Sequence, residues 1–150
     1  MTRVFYLAMF GTMVACSSGG SAGGASDAMP DASPPPPVEP AGLKRTSQHG
    51  DYVLWLAGAD ASLQKGVPTT LDLTVRTSAG APAPGLTFDV SFVHTMMGHG
   101  SGKIPEVADA GGGAYAVSNV LASMTGAWAF TLTFATDDGD DTASFDIEVK

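Results

Sequence analysis

Cysteine is almost missing from this 150-residue chain. A single thiol, Cys16, excludes an intramolecular disulfide and any multi-cysteine metal site, so the fold has to rest on packing alone. Basic residues are scarce as well: seven Lys and Arg stand against fifteen Asp and Glu. From Thr46 onward only Lys65, Arg76, Lys103 and Lys150 face twelve acidic residues. So acidic a surface repels phosphate backbones, which argues against nucleic acid as a partner. No apolar run reaches the roughly twenty residues a helix needs to cross a bilayer core. From Leu43 onward no segment shows a sustained helical stripe with caps. A nucleophile elbow and paired carboxylates at motif spacing are missing too, and the chain is short for nucleotide-binding or barrel enzymes. The expectation is a single modest domain that is not an enzyme.

What is present begins with Arg3 and the apolar stretch Val4 to Ala15, VFYLAMFGTMVA, too short to span a bilayer and of the length of a secretory signal core. It ends in Met13-Val14-Ala15-Cys16, followed by Ser17-Ser18-Gly19-Gly20. Small residues before a cysteine and a Gly/Ser tract after it resemble the lipobox of bacterial lipoproteins, with Met13 where a leucine is usual. That resemblance implies cleavage before Cys16 and acylation of its sulfur. Each buried methylene then contributes about 0.8 kcal/mol to membrane anchoring. The alternative is an ordinary signal with an incidental cysteine. All but five positions from Ser17 to Gly42 are Gly, Ser, Ala or Pro, a composition that cannot bury enough apolar surface to fold. The expected organisation is a signal peptide at 1–15, a lipidated cysteine with a disordered tether at 16–42, and a domain at 43–150. The protein is expected to be exported, lipid-anchored to the cell envelope and facing the periplasm or the cell surface.

Within the domain, apolar residues alternate. Leu71, Leu73 and Val75 share one face, as do Leu86, Phe88, Val90 and Phe92. Trp128, Phe130, Leu132 and Phe134 repeat the pattern, and Phe145, Ile147 and Val149 end the chain with it. Period-two alternation marks half-buried antiparallel strands. Tyr52–Ala57 and Ala114–Leu121 are further strand candidates. Turn residues separate the runs, at Lys65-Gly66, Gly80 to Gly85, Gly111 to Gly113, Thr125-Gly126 and Asp137 to Asp141. Short strands at this spacing predict an all-β fold, an immunoglobulin-like antiparallel β-sandwich of about seven strands. Trp55 and Trp128 are expected as core or strand-face aromatics. The acidic stretch Asp137 to Asp141 lacks the order of a calcium loop and reads as an exposed hairpin turn.

The chemistry gathers in His94-Thr95-Met96-Met97-Gly98-His99, which holds two of the domain's three histidines and two of its three methionines. His49 at the tether boundary reads as a solvated residue. Thioether and imidazole together suit copper, Cu(I) in particular, whereas carboxylate oxygens suit Mg or Ca. In an extended strand His94 and His99 would stand roughly 16 Å apart. One ion reaches both only if the segment bends, and Gly98 and Gly100 permit that. His94 continues the face of Phe88, Val90 and Phe92, so the setting is a strand end breaking into a glycine-rich loop. Two uses of the cluster stay open on the residues alone: metal ligation, or methionines filling core gaps beside a surface histidine.

Met97-Gly98-His99-Gly100, Pro105-Glu106-Val107, Gly113-Ala114-Tyr115 and Met124-Thr125-Gly126-Ala127-Trp128, in this order, resemble the YtkA-like/FixH-like family of exported domains. The match runs from about Val90 to Phe134. The resemblance implies an Ig-like fold, copper handling, and Met97, His99 and Met124 as leading ligands, with His94 and Met96 next. His94-Thr95 stands where family members often carry methionine followed by proline. The implied partners are the membrane, through the lipid anchor, and a copper-donating or copper-accepting protein, with the chain itself monomeric. The competing reading is a metal-free Ig-like adhesion or scaffold module on the envelope, with buried, diverging methionines. A PCuAC-type chaperone ranks below both, because His94-Thr95-Met96 comes first and no histidine follows His99.

Overall fold

Alternation becomes strand wherever both faces of a ribbon meet different surroundings, and eight strands form here. They are β1 (Leu43–Thr46), β2 (Tyr52–Ala57), β3 (Thr69–Thr77), β4 (Phe88–His94), β5 (Glu106–Gly111), β6 (Ala114–Val120), β7 (Gly126–Thr136) and β8 (Gly139–Val149). The computed structural model describes residues 38–59 and 63–150, and no helix occurs among them. The stretches expected to be signal peptide and tether lie, with Cys16, outside the described residues as far as residue 37.

Two antiparallel sheets result, one ordered β1-β2-β3-β6-β5 and the other β4-β7-β8. Their inner faces form one core. Leu54, Leu56, Leu71, Leu73, Val75, Tyr115 and Val117 come from the first sheet, and Phe92, Trp128, Phe130, Leu132, Phe134, Phe145 and Ile147 from the second. Full burial of each such side chain stabilises the fold by about 1.5–3 kcal/mol. Aromatic contacts join the layers: Tyr52 meets Phe134 edge-on at 5.3 Å, and Phe88 meets Tyr115 at 5.0 Å. The all-β, two-sheet reading of the sequence holds. Two strands escaped it, β1 and β5. Both are sheet edges, and most of their residues are exposed, so neither alternates.

Three local devices hold the ends. The Tyr115 hydroxyl donates to the Ala83 carbonyl at 2.6 Å and accepts from the Leu86 amide at 3.0 Å, fixing the crossover from β3 to β4. Burial pushes the Tyr115 phenol up; the Leu86 contact opposes this and Asp109 adds to it. Gly113, at φ +78°, lets β6 start against β3, where a Cβ would lie 2.6 Å from the Val75 carbonyl oxygen. Asp141, next to the β7–β8 hairpin, accepts from the amides of His49 at 3.0 Å and Thr142 at 2.8 Å. Burial alone would raise its pKa. The nearby Ser47 hydroxyl, those two amides and the His49 ring outweigh burial and hold the carboxyl below its ordinary range.

The hairpin turn at Asp137-Asp138 forms where the sequence placed it, but Asp141 is buried rather than part of an exposed turn. Trp128 is a core residue. Trp55 lies on the opposite strand face from Leu54 and Leu56, under the Lys44 ammonium at 5.4 Å and the Arg76 guanidinium at 5.7 Å.

Candidate metal centre

β4 ends at His94 because the chain turns back on itself there, although one more bond of the β7 ladder is made. Thr95 N–H donates to the Ala127 carbonyl at 3.0 Å, and the Thr95 hydroxyl donates to the same oxygen at 3.0 Å. Gly98 N–H donates back to the His94 carbonyl at 2.9 Å, closing a tight turn. Gly98 adopts φ +67°, a conformation that glycine tolerates and most residues resist. The chain then doubles back: His94 N–H donates to the His99 carbonyl at 3.1 Å, and Val93 pairs with Gly100. The bend that a shared site demands is therefore present, and the two histidine backbones are hydrogen-bonded neighbours.

The second methionine-bearing segment arrives through the ladder. β4 runs antiparallel to β7 with His94 opposite Trp128, so the exit of β4 adjoins the entry of β7. Met124 sits just before that entry. Its carbonyl accepts from the Trp128 indole N–H at 3.1 Å, and its side chain, half-buried, packs against the core. The His94 ring reaches across to this turn, with Nε2 3.2 Å from the Thr125 carbonyl oxygen. Gly126 makes the approach possible, because a Cβ there would lie 3.1 Å from His94 Nε2. The Trp128 ring stands edge-on to the imidazole at 5.3 Å and stacks on Phe92 at 4.7 Å.

Of the five candidate ligands, His94, Met96, Met97 and His99 share one turn, and Met124 belongs to the adjoining one. Their surroundings differ. Met96 and Met97 are 88% and 61% exposed, while His94 is only 7% exposed. His99 is exposed. Cys16, the candidate lipidation residue, lies outside the described residues. His49 is at the opposite end of the sheets, 3.8 Å through Nδ1 from Asp141.

The hydrogen bonds assign the ring tautomers. A carbonyl only accepts, so the contact to Thr125 requires a proton on His94 Nε2, and in the neutral ring Nδ1 is then the bare nitrogen. His99 is the reverse: Nδ1 contacts the Gly100 carbonyl at 3.2 Å, so in the neutral ring Nε2 carries the lone pair. His94 Nδ1 is buried without any hydrogen-bond partner. A buried acceptor left unpaired is uncommon and invites an explanation.

Neither the 95–105 loop nor the 121–125 turn holds a carboxylate. Among the described residues no group of three or more His, Cys, Asp or Glu side chains is placed to hold an ion. Any ion held here would have to be one that accepts thioether sulfur and imidazole nitrogen. Sequence reasoning had aligned His94 with the inward face of β4. It did not anticipate the Thr125 carbonyl, the Gly126 contact or the orphaned nitrogen, which depend on β7 lying alongside. The Gly126-Ala127-Trp128 entry to β7 was the only available signal. No protein family, curated protein or solved structure matches this chain.

Proposed function

We propose that this chain is a membrane-anchored, extracytoplasmic copper-binding protein that takes up Cu(I) as cargo and passes it on or buffers it. Met97, His99 and Met124 are its leading donors, with His94 and Met96 beside them. The observation that carries this reading is the buried, unpartnered Nδ1 of His94, in a strand end whose turn also carries the exposed Met96, Met97 and His99. The orphaned His94 Nδ1 fits a metal site, because ligating histidines characteristically give their other N–H to a carbonyl or carboxylate. The donors are neutral and soft, matching Cu(I) without adding the charge of a thiolate.

The strand order β2-β3-β6-β5 opposite β4-β7-β8 supports the immunoglobulin-like reading, since it is the order of strands A-B-E-D and C-F-G in that fold. Exposure of Met96 and Met97 speaks against the adhesion-module alternative, which needs all three methionines for packing. Only Met124 behaves that way. Anchoring rests on the lipobox-like sequence at Cys16, and an acyl mass increment on the mature protein's first residue tests it.

The direct test is a Cu(I) titration of the protein, repeated with Met97→Ala and His99→Ala. Tight binding weakened by each substitution is expected. Binding no tighter than micromolar and indifferent to both removes the proposal.

A further inference from the structure

His94 differs from the other candidate donors in being concealed, and its concealment is organised. One ring nitrogen is held by the Thr125 carbonyl, the ring edge meets Trp128, and Gly126 provides the room. The remaining nitrogen, Nδ1, has neither solvent nor a protein partner. A packed core has no use for such an atom, since burying an acceptor unpaired costs free energy that an apolar side chain would not. A metal ligand has a use for it. The second nitrogen of a ligating histidine is ordinarily oriented by a carbonyl, as Thr125 orients this one.

A metal–nitrogen bond is about 2.0–2.1 Å long. No ion reaches Nδ1 at that distance while the surrounding atoms stay where they are, so one neighbouring segment has to move. The β7 side is fixed: Trp128 is wholly buried and pairs with Ile147 on β8, and Gly126 already touches the ring. The turn Thr95-Met96-Met97-Gly98 is exposed at every residue. It is tied down by the two Thr95 bonds to the Ala127 carbonyl and by Gly98 N–H on the His94 carbonyl. Gly98 has open space where a Cβ would stand and a backbone free to swing.

We propose that His94 is a concealed ligand that takes Cu(I) through Nδ1, and that opening of the Thr95–Gly98 turn admits the ion. This rests on the copper reading above and adds an order of events to it. Exposed Met96, Met97 and His99 meet the ion first. The turn then releases its hold on Ala127, and the ion settles against His94, whose Nε2–H keeps its bond to Thr125. Release requires the same opening, so exit is slower than capture by the surface donors alone would allow.

Long-range 1H–15N and methyl 1H–13C spectra of the 15N,13C-labelled full chain, titrated with silver(I) as a diamagnetic stand-in of the same charge and softness, test this. The expected result is a large change at His94 Nδ1 with Nε2 still protonated, accompanied by amide shifts at Thr95 and Gly98. His94→Gln is expected to keep uptake but to speed dissociation by at least about tenfold. A titration in which His99 and the methionine methyls respond while both His94 nitrogens stay at their free positions overturns the concealed ligand and leaves the copper reading standing. Silence from every histidine and methionine overturns both.

Discussion

Gly126 and His94 fit each other at the limit of contact: a single added carbon on Gly126 would lie 3.1 Å from His94 Nε2. Gly126 also sits at φ +113°, where side chains are strained. Gly126→Ala is therefore expected to lower stability by about 1–3 kcal/mol and to push the ring off the Thr125 carbonyl. Urea unfolding measures the first effect and the His94 ring 15N shifts measure the second. An unchanged unfolding midpoint would refute the packing argument.

Gly113→Ala should cost more. At Gly113 the obstacle is backbone on two sides, the Val75 oxygen at 2.6 Å and the Ala83 nitrogen at 2.9 Å. Backbone locked in a ladder cannot yield as a ring can, so a loss of about 3 kcal/mol or more is expected. Parallel denaturation of the two variants checks the ranking, and a Gly113→Ala variant more stable than Gly126→Ala contradicts it.

Asp141 makes stability depend on acidity. Its folded carboxyl titrates below the ordinary range, near 3.9 for an unperturbed aspartate. Its contribution is present above that value and disappears as pH falls through the lower, folded pKa. Asp141→Asn should lose about 1–3 kcal/mol at pH 7, through weaker acceptance from the His49 and Thr142 amides. It should also flatten the fall in stability below about pH 4. Thermal melts from pH 7 to pH 3 read both, and parallel curves for the two proteins would show that Asp141 is not the group responsible.

Oxidation should sort the methionines by exposure. Met96 and Met97 face solvent, whereas Met124 packs against the core. Under limiting peroxide, peptide mass spectrometry is expected to find sulfoxide at Met96 and Met97 well before Met124. Silver(I), a redox-inert stand-in for Cu(I), bound to the proposed donors should protect Met97. Equal rates at the three positions would contradict the observed burial.

The inner strands were legible because their two faces differ. Leu71, Leu73 and Val75, or Trp128 through Phe134, alternate since one side is core and the other is water, and the ladder follows. β1 and β5 were not, because an edge strand with mostly exposed residues carries no alternation to read. At the candidate site, the turn was foreseeable from Gly98 and the histidine's face from its register with Phe92. What seals His94 was not. The Thr125 carbonyl and Gly126 come from about thirty residues further along, and only antiparallel pairing of β4 with β7 brings them together. Asp141 was misread for the same reason: its partners, Ser47 and His49, belong to the turn after β1.

The β7–β8 hairpin sets Asp137, Asp138 and Asp140 at the far tip of the second sheet, where Thr136 meets Gly139, while Gly126 and Val149 mark the near tip. The carboxylates of the far tip and the thioethers and imidazoles beside the near tip therefore stand at opposite ends of the hairpin, which keeps oxygen donors out of reach of the candidate soft-donor turn.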